Sequence, residues 1–237
     1  SSQTAIIAYV MIALVYLYQA MQIIKVNADI FTKEVPDMFR YQFKQVAILD
    51  LAYMVTFGSE LALVSMLPLF YVDMFGLSPI TAGLLAAIYP VMNLIARPGG
   101  GILIGRKKSL IILFSGITLT FLLLGQVNTS WAVPLVVSCT ILCGLFAKGG
   151  SGAVYAMAPL IQRRMTGQIA GMVGAYGNVG GLIFLTVLSF VSPQVFFLVI
   201  GGTAAVVLLF MVIFLEEPKG QTAEVLEDGT VQLIDVT

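Results

Sequence analysis

Arg97, Glu60 and Lys148 are single ionisable residues set deep inside long apolar stretches, and Asn178 lies among glycines in another. A charge at the centre of a bilayer costs about 2.5–3.5 kcal/mol on insertion scales, so one that persists there faces the protein interior or water. Arg97 occurs in Asn93-Leu94-Ile95-Ala96-Arg97-Pro98-Gly99-Gly100-Gly101, well before the basic cluster Arg106, Lys107 and Lys108. A guanidinium is planar, stays charged and presents a fork of donors, so in a dry pore it suits a flat, delocalised oxyanion held by parallel hydrogen bonds. The bland alternative is that Arg97 snorkels to the headgroups near Arg106.

Tyr53, Phe57 and Glu60 recur at spacings of four and three and share one helix face. Turned to a cavity, that stripe offers two aromatic walls and an acid that can titrate or hold a cation. Glu60 can equally pair with Lys148 or Arg97 and neutralise a buried charge. Lys148, in Ala147-Lys148-Gly149-Gly150-Ser151-Gly152, reads as an ion-pair partner or as pore lining. Asp50 reads as an interfacial or helix-start residue. In Gly171-Met172-Val173-Gly174-Ala175-Tyr176-Gly177-Asn178-Val179-Gly180-Gly181, helix packing accounts for most of the glycines. The amide of Asn178 can donate to an oxyanion without adding charge.

The elements that must position these residues follow from composition. Of 237 residues, 59% are hydrophobic and 10% charged, against about 45–50% and about 25% in soluble domains. With a mean hydropathy of +1.00, the chain belongs in a lipid bilayer. Twelve basic and twelve acidic residues cancel, which leaves no field to attract nucleic acid. With no His and only Cys139 and Cys143, the usual zinc, haem and iron–sulfur donor sets are missing. Neither a metal, a cofactor nor a catalytic residue is expected, and the chain does not read as an enzyme. The two cysteines are four apart, on successive turns of one helix, and read as packing residues.

Seven charge-poor stretches, 4–24, 46–72, 78–104, 109–127, 132–160, 167–191 and 195–215, predict seven transmembrane helices, since a core of about 30 Å needs about 20 residues. The first basic residue, Lys25, follows the first stretch, which therefore reads as a span and not as a cleavable signal. The opening Ser1-Ser2-Gln3 suggests a longer or processed chain. Lys25, Lys33, Arg40 and Lys44, then Arg106, Lys107 and Lys108, then Arg163 and Arg164 fall in alternate loops. That pattern puts the N-terminus outside and the C-terminus in the cytoplasm. Segment 25–45 mixes charges with Ile30, Phe31, Met38 and Phe39 and suits a helix or loop lying on the membrane surface. The fifth span, 29 residues long, would measure about 43 Å as a helix. It is expected to tilt or to bend at its glycines, with unwound backbone lining a cavity. In the acidic tail, Asp228-Gly229 between two β-prone runs predicts a small hairpin.

Gly174-Ala175-Tyr176-Gly177-Asn178-Val179-Gly180-Gly181 resembles the nitrate signature of the nitrate/nitrite porter branch of the major facilitator superfamily. Tyr53-Met54-Val55-Thr56-Phe57-Gly58-Ser59 resembles that family's seventh helix, and Ile95-Ala96-Arg97-Pro98-Gly99-Gly100 its eighth. The tail from Leu215-Glu216-Glu217-Pro218-Lys219-Gly220 is similar to cyanobacterial-type nitrate permeases. The resemblance implies an all-α membrane fold in which the seven spans match helices six to twelve of twelve. Residues 1–24 become the last helix of the N-terminal half, 25–45 the central cytoplasmic loop, 46–215 the C-terminal six-helix bundle and 216–237 the cytoplasmic tail.

Family members bind nitrate between two arginines, one from each half, with aromatic rings against the flat anion. The resemblance therefore implies that Arg97 is the C-terminal-half arginine, Tyr53 a nitrate-contacting tyrosine, and Gly177 and Asn178 the signature face. It implies nitrate or nitrite as substrate, a bacterial plasma membrane as location, and an N-terminal half as the missing partner. Two departures stand out. The first five helices, with the opposing arginine, are not in this chain. The family's loop after helix eight carries Asp-Arg before Gly-Arg-Lys, and that Asp helps to latch the cytoplasmic gate. Here the loop keeps Gly105, Arg106, Lys107 and Lys108 but loses the Asp-Arg.

Three functions compete at this stage. The first is transport by alternating access, with protons or exchanged nitrite supplying the energy and Glu60 as the proton-responsive group. The second is a truncated fragment that does not transport. The third is a seven-helix receptor, disfavoured because a retinal protein needs a Lys in its last span and 195–215 contains none.

Overall fold

The computed structural model describes residues 2–28, 40–102, 106–217, 221–225 and 231–235, in two compact units that divide after Arg40. The first unit holds helix α1 (Ser2–Val26), apolar on every face and closed by Asn27, whose backbone and side-chain N–H groups both donate to the Ile23 carbonyl. The greater part of the expected surface segment, residues 29–39, lies outside the described residues.

The second unit is a helical bundle of α2 (Phe43–Phe75), α3 (Pro79–Val91), α4 (Asn93–Ile102), α5 (Arg106–Leu124), α6 (Val133–Ile161), α7 (Thr166–Leu188) and α8 (Pro193–Phe214). With α1, the described residues form seven membrane-length apolar segments, α3 and α4 together making one. The helix ends carry local signals. Gly76, at φ 63°, closes α2 by donating to the Val72 carbonyl, a left-handed cap that favours glycine. Ser78 and Ser192 cap α3 and α8 with their side chains, each followed by a proline at the first helical position. After α8 the chain forms an antiparallel pair, β1 (Gln221–Val225) with β2 (Val231–Asp235), in which Gln221 faces Asp235. The expected Asp228-Gly229 turn is outside the described residues.

Three expectations need correction. The stretch 78–104 is two helices broken at Met92, because Pro90 has no N–H to return to the preceding turn. Of the tilt and the unwound bend expected for the fifth span, the unwound bend is excluded, since α6 runs unbroken through Gly149, Gly150 and Gly152. Those glycines serve contact instead of unwinding. A Cβ at Gly152 would overlap the Arg97 carbonyl, and one at Gly100 would overlap the Gly149 carbonyl, so α4 and α6 meet backbone to backbone. Finally, Asp50 is not at a helix start: α2 begins two turns earlier, and the side chain is 1% exposed, with neither carboxylate oxygen hydrogen-bonded among the described residues.

The same small-residue packing joins α2 to α7. Gly58 lies on the backbone of Gly180, and a Cβ at Gly180 would overlap the Met54 carbonyl. Lipid tails are as apolar as leucine, so close van der Waals contact of this kind holds membrane helices together. Away from these seams the bundle turns Ile112, Leu119, Leu182, Leu209 and Ile213 outward, as a hydrocarbon surround requires. Cys139 and Cys143 are buried in the core and unbridged.

The two kinds of glycine on α7 make opposite predictions for thermal unfolding in detergent. Gly180→Ala must push α2 and α7 apart, at about 1–3 kcal/mol, and is expected to lower Tm. Gly171→Ala meets nothing within 4 Å and gains up to about 1 kcal/mol of helix propensity, so its Tm should hold or rise. Equal shifts would contradict the α2–α7 seam.

Candidate functional site

The stripe Tyr53, Phe57 and Glu60 lies on the inner face of α2, as its spacing implies. The Tyr53 and Phe57 rings stack in parallel, with centroids 5.2 Å apart and planes 7° from each other. Tyr155 of α6 packs its ring edge against Tyr53 at 4.8 Å. The absence of a side chain at Gly177 makes room for both α2 rings, since a Cβ there would lie 2.5 Å from Tyr53 and 3.0 Å from Phe57.

Arg97 projects from α4 into this aromatic corner. It donates through Nη2 to the Tyr53 hydroxyl, and its Cζ lies 5.9 Å from the Tyr53 ring centroid and 6.0 Å from that of Phe57. These separations are at the edge of cation–π range. The guanidinium is held by the seam beneath it, where the Arg97 backbone rests on Gly152 of α6. Arg97 is half-buried, so its donors are reachable, and it does not lie flat on the outer surface.

A second polar layer lies one helical turn away along α4. Lys148 Nζ is 2.6 Å from Glu60 Oε1, and Asn93 Nδ2 donates to the same oxygen at 2.7 Å. Lys148 is fully buried and sits 4.3 Å from the centre of the Tyr89 ring. Of the partners left open for Glu60, the structure selects Lys148. Residues from α2, α3, α4 and α6 thus meet around one buried ion pair. Among the described residues no carboxylate is within ion-pair distance of Arg97.

The remaining expected residues are more dispersed. Asn178 is exposed and donates back to the Gly174 carbonyl of its own helix. Of the loop residues, Gly105 lies outside the described residues, Arg106 begins α5 and Lys108 is exposed. The Lys107 backbone N–H donates to Glu217 Oε2 at 3.1 Å, and its ammonium to the Val212 carbonyl at 3.2 Å. Glu217 thereby places a carboxylate at the N-terminus of α5, where the helix dipole favours negative charge. Gln45 joins this tie by donating to the Phe214 carbonyl and accepting from the Glu216 N–H. A cleft of about 800 Å³ lined by Gln45, Lys107, Met157, Leu160 and Glu217 opens here, away from Arg97.

Sequence reasoning missed Tyr155, Asn93 and Tyr89. A signal existed for Tyr155, which follows Lys148 by seven residues, two turns along the same face of α6. Asn93 is likewise one turn before Arg97 on the same face of α4.

The site thus combines an arginine held in an aromatic corner with a buried Glu60–Lys148 pair, inside a bundle of membrane-length helices. The Major Facilitator Superfamily profile matches residues 49–235. The chain belongs to the major facilitator superfamily.

It is 39% identical over 227 residues to the nitrate/nitrite transporter NrtP of Nostoc punctiforme, an overlap of 93% of this chain and 45% of that protein. Against the protein of the same name from Picosynechococcus sp. it is 41% identical over 237 residues, covering 91% of this chain and 44% of the relative. A nitrite extrusion protein of Bacillus subtilis is 33% identical over 136 residues, covering 56% and 34% of the two chains. The chain therefore spans just under half the length of the two NrtP proteins.

The two cations should differ in what they do for stability. Lys148→Ala strands the buried Glu60 carboxylate and is expected to cost about 3–5 kcal/mol. Arg97→Ala strands no buried charge among the described residues and should cost about 1 kcal/mol, the scale of one hydrogen bond. Denaturant unfolding of the two variants in the same detergent checks this, and the reverse order would show that Arg97 is the structural cation.

Proposed function

We propose that this chain is the C-terminal half of a carrier that moves nitrate, nitrite or both across the membrane, by rocking against an N-terminal half. The observation that carries this reading is the charge left over in the site. Glu60 and Lys148 cancel, so the guanidinium of Arg97 remains as one positive charge with no carboxylate in ion-pair distance among the described residues. A pocket with one uncompensated positive charge suits a monovalent anion. The names of the NrtP relatives support nitrate and nitrite as its identity.

In this reading Arg97, Tyr53, Gly177 and Asn178 form this half's share of the binding site. Arg97 offers parallel donors to two oxygens of a flat anion. The Tyr53 and Phe57 rings wall off water and strengthen those bonds by lowering the local dielectric. Gly177 lets the rings seat against α7, and the Asn178 amide turns from its own helix to the anion. The second arginine comes from the N-terminal half. Residues 105–108 belong to the gating loop at the cytoplasmic end, with the C-terminus on that side and the N-terminus outside. The surrounding phase is the lipid of a bacterial plasma membrane.

In a carrier containing both halves, Arg97→Lys is expected to reduce nitrate uptake by about ten- to a hundredfold, because a point charge replaces a charged bidentate contact worth about 1.5–3 kcal/mol. Uptake from proteoliposomes measures this, and wild-type affinity in the variant would remove Arg97 from the binding site.

One feature favours proton coupling over anion exchange as the energy source. Glu60 Oε1 takes both Lys148 and Asn93, while Oε2 is buried without a hydrogen bond and is the place where a proton would add. The polar and charged groups around it are Lys148, Asn93 and Tyr89, with Tyr53 and Arg97 further along the same face. Glu60→Gln is expected to flatten the pH dependence of nitrate uptake in proteoliposomes. An unaltered pH profile would leave anion exchange as the route.

A further inference from the structure

We propose that Lys148 sets anion affinity without touching the anion, by holding Glu60 away from Arg97. The inference rests on Arg97 as the anion ligand and assigns to the buried pair a part in keeping that ligand open.

A carboxylate resembles nitrate in the features that an arginine reads: it is planar, delocalised and monovalent, with two oxygens set for a parallel pair of donors. Glu60 is therefore a built-in competitor for the site. Its carboxylate accepts from Asn93, and Asn93 and Arg97 are four residues apart on α4, so their Cβ atoms lie about 5–6 Å apart on one face. On α2, Glu60 shares the face of Tyr53, the residue that Arg97 already contacts. Through Asn93 the acid is joined to a position one turn of α4 before Arg97, and on α2 it lies seven residues, about two turns, from Tyr53.

Lys148 opposes that collapse. It comes from a third helix, has no exposed surface, and is fixed between the Glu60 carboxylate at 2.6 Å and the Tyr89 ring at 4.3 Å. Its ammonium engages the Glu60 carboxylate directly and is itself set against the Tyr89 ring of α3, so the acid is held in the layer of Asn93 and Lys148. Without it, the nearest other cation among the described residues of this polar centre is Arg97, one turn from Asn93 on α4. An uncompensated charge in this environment is expensive enough to drive such a swing.

The consequence is specific to affinity. If Glu60 occupies Arg97 in most molecules, the apparent dissociation constant for nitrate rises by the inverse of the competent fraction. A merely structural loss would instead lower the amount of working carrier and leave KM unchanged.

The test is nitrate counterflow at one pH in proteoliposomes that hold the carrier with both halves, comparing wild type, Lys148→Met, and Glu60→Gln with Lys148→Met together. Lys148→Met is expected to raise KM by about tenfold or more, corresponding to a competent fraction below about one tenth. The double variant, which replaces the pair by neutral groups of similar volume, is expected to bring KM back to within about threefold of wild type, whatever it does to kcat. An unchanged KM in Lys148→Met overturns the proposal, and so does a double variant with KM raised as far as in the single one. If Lys148→Met does not fold, the double variant decides: a near-normal KM supports the proposal and a raised KM overturns it. Arg97→Gln in the same assay separates the two readings. Loss of uptake there with a normal KM in Lys148→Met sinks only the role of Lys148, whereas normal uptake in Arg97→Gln sinks Arg97 as ligand.

Discussion

The polar centre of the bundle, between α2, α4 and α6, is arranged around one electrostatic constraint: a charge taken out of water is costly unless it meets its opposite or a ligand. Glu60 and Lys148 satisfy it between themselves, with Asn93 donating to the carboxylate and the Tyr89 ring beside the ammonium. Arg97 does not satisfy it with any described carboxylate and has only the neutral Tyr53 hydroxyl and two aromatic rings. Asn93, which donates to the pair, is one turn before Arg97 on α4, so the difference in partners arises between neighbouring positions of one helix.

That placement depends on small residues. Lys148 reaches Glu60 from α6, which packs on α2, and Arg97 reaches Tyr53 from α4, which is held against α6. The α4–α6 approach needs Gly100 and Gly152, where any Cβ would overlap backbone of the facing helix. On the other side, Gly177 admits the Tyr53 and Phe57 rings and Gly180 admits the α2 backbone. The glycine-rich signature is thus read twice, once as packing against α2 and once as the wall behind the aromatic corner. Asn178, one position along from Gly177, falls on the open side of α7.

Much of this was legible from residue spacing. The charge-poor stretches mark seven membrane segments, and the spacing of Tyr53, Phe57 and Glu60 places them on one face. Arg97, a fixed charge between Ala96 and Pro98 inside an apolar stretch, stood out as a residue needing a partner. What spacing could not supply was the pairing between helices. The choice between Arg97 and Lys148 as the partner of Glu60 depends on which helices touch, a long-range property absent from any local period. The same holds for Tyr155, for the burial of Asp50 and for Glu217 at the start of α5. Met92 shows a different limit: Pro90 was visible as a helix breaker, but prolines are tolerated in membrane helices, and Pro68 sits inside the unbroken α2. Whether a proline kinks or breaks its helix depends on how the freed carbonyl is met by neighbours.

The packing also bears on how such a site could move. Alternating access in this superfamily's architecture is a rocking of one bundle against another, which requires that each bundle travel as a unit. Backbone-to-backbone seams at Gly152 and Gly180 resist internal sliding, because a shift of α4 along α6 or of α7 along α2 brings a side chain to the point of contact. Near the start of α2 the rim is tied as well: Gln45 bridges the end of α8, and Glu217 meets the first turn of α5. The seams are buried and insensitive to salt, whereas Lys44 and Glu216 at the rim are more than half exposed and contribute little. Rigidity therefore resides in the glycine contacts at the level of Arg97, so the aromatic corner and the ion pair behind it keep their geometry while the bundle tilts. In the proposed carrier, Arg97 then keeps the same aromatic surroundings whichever way the bundle faces, and what changes is access rather than the ligand.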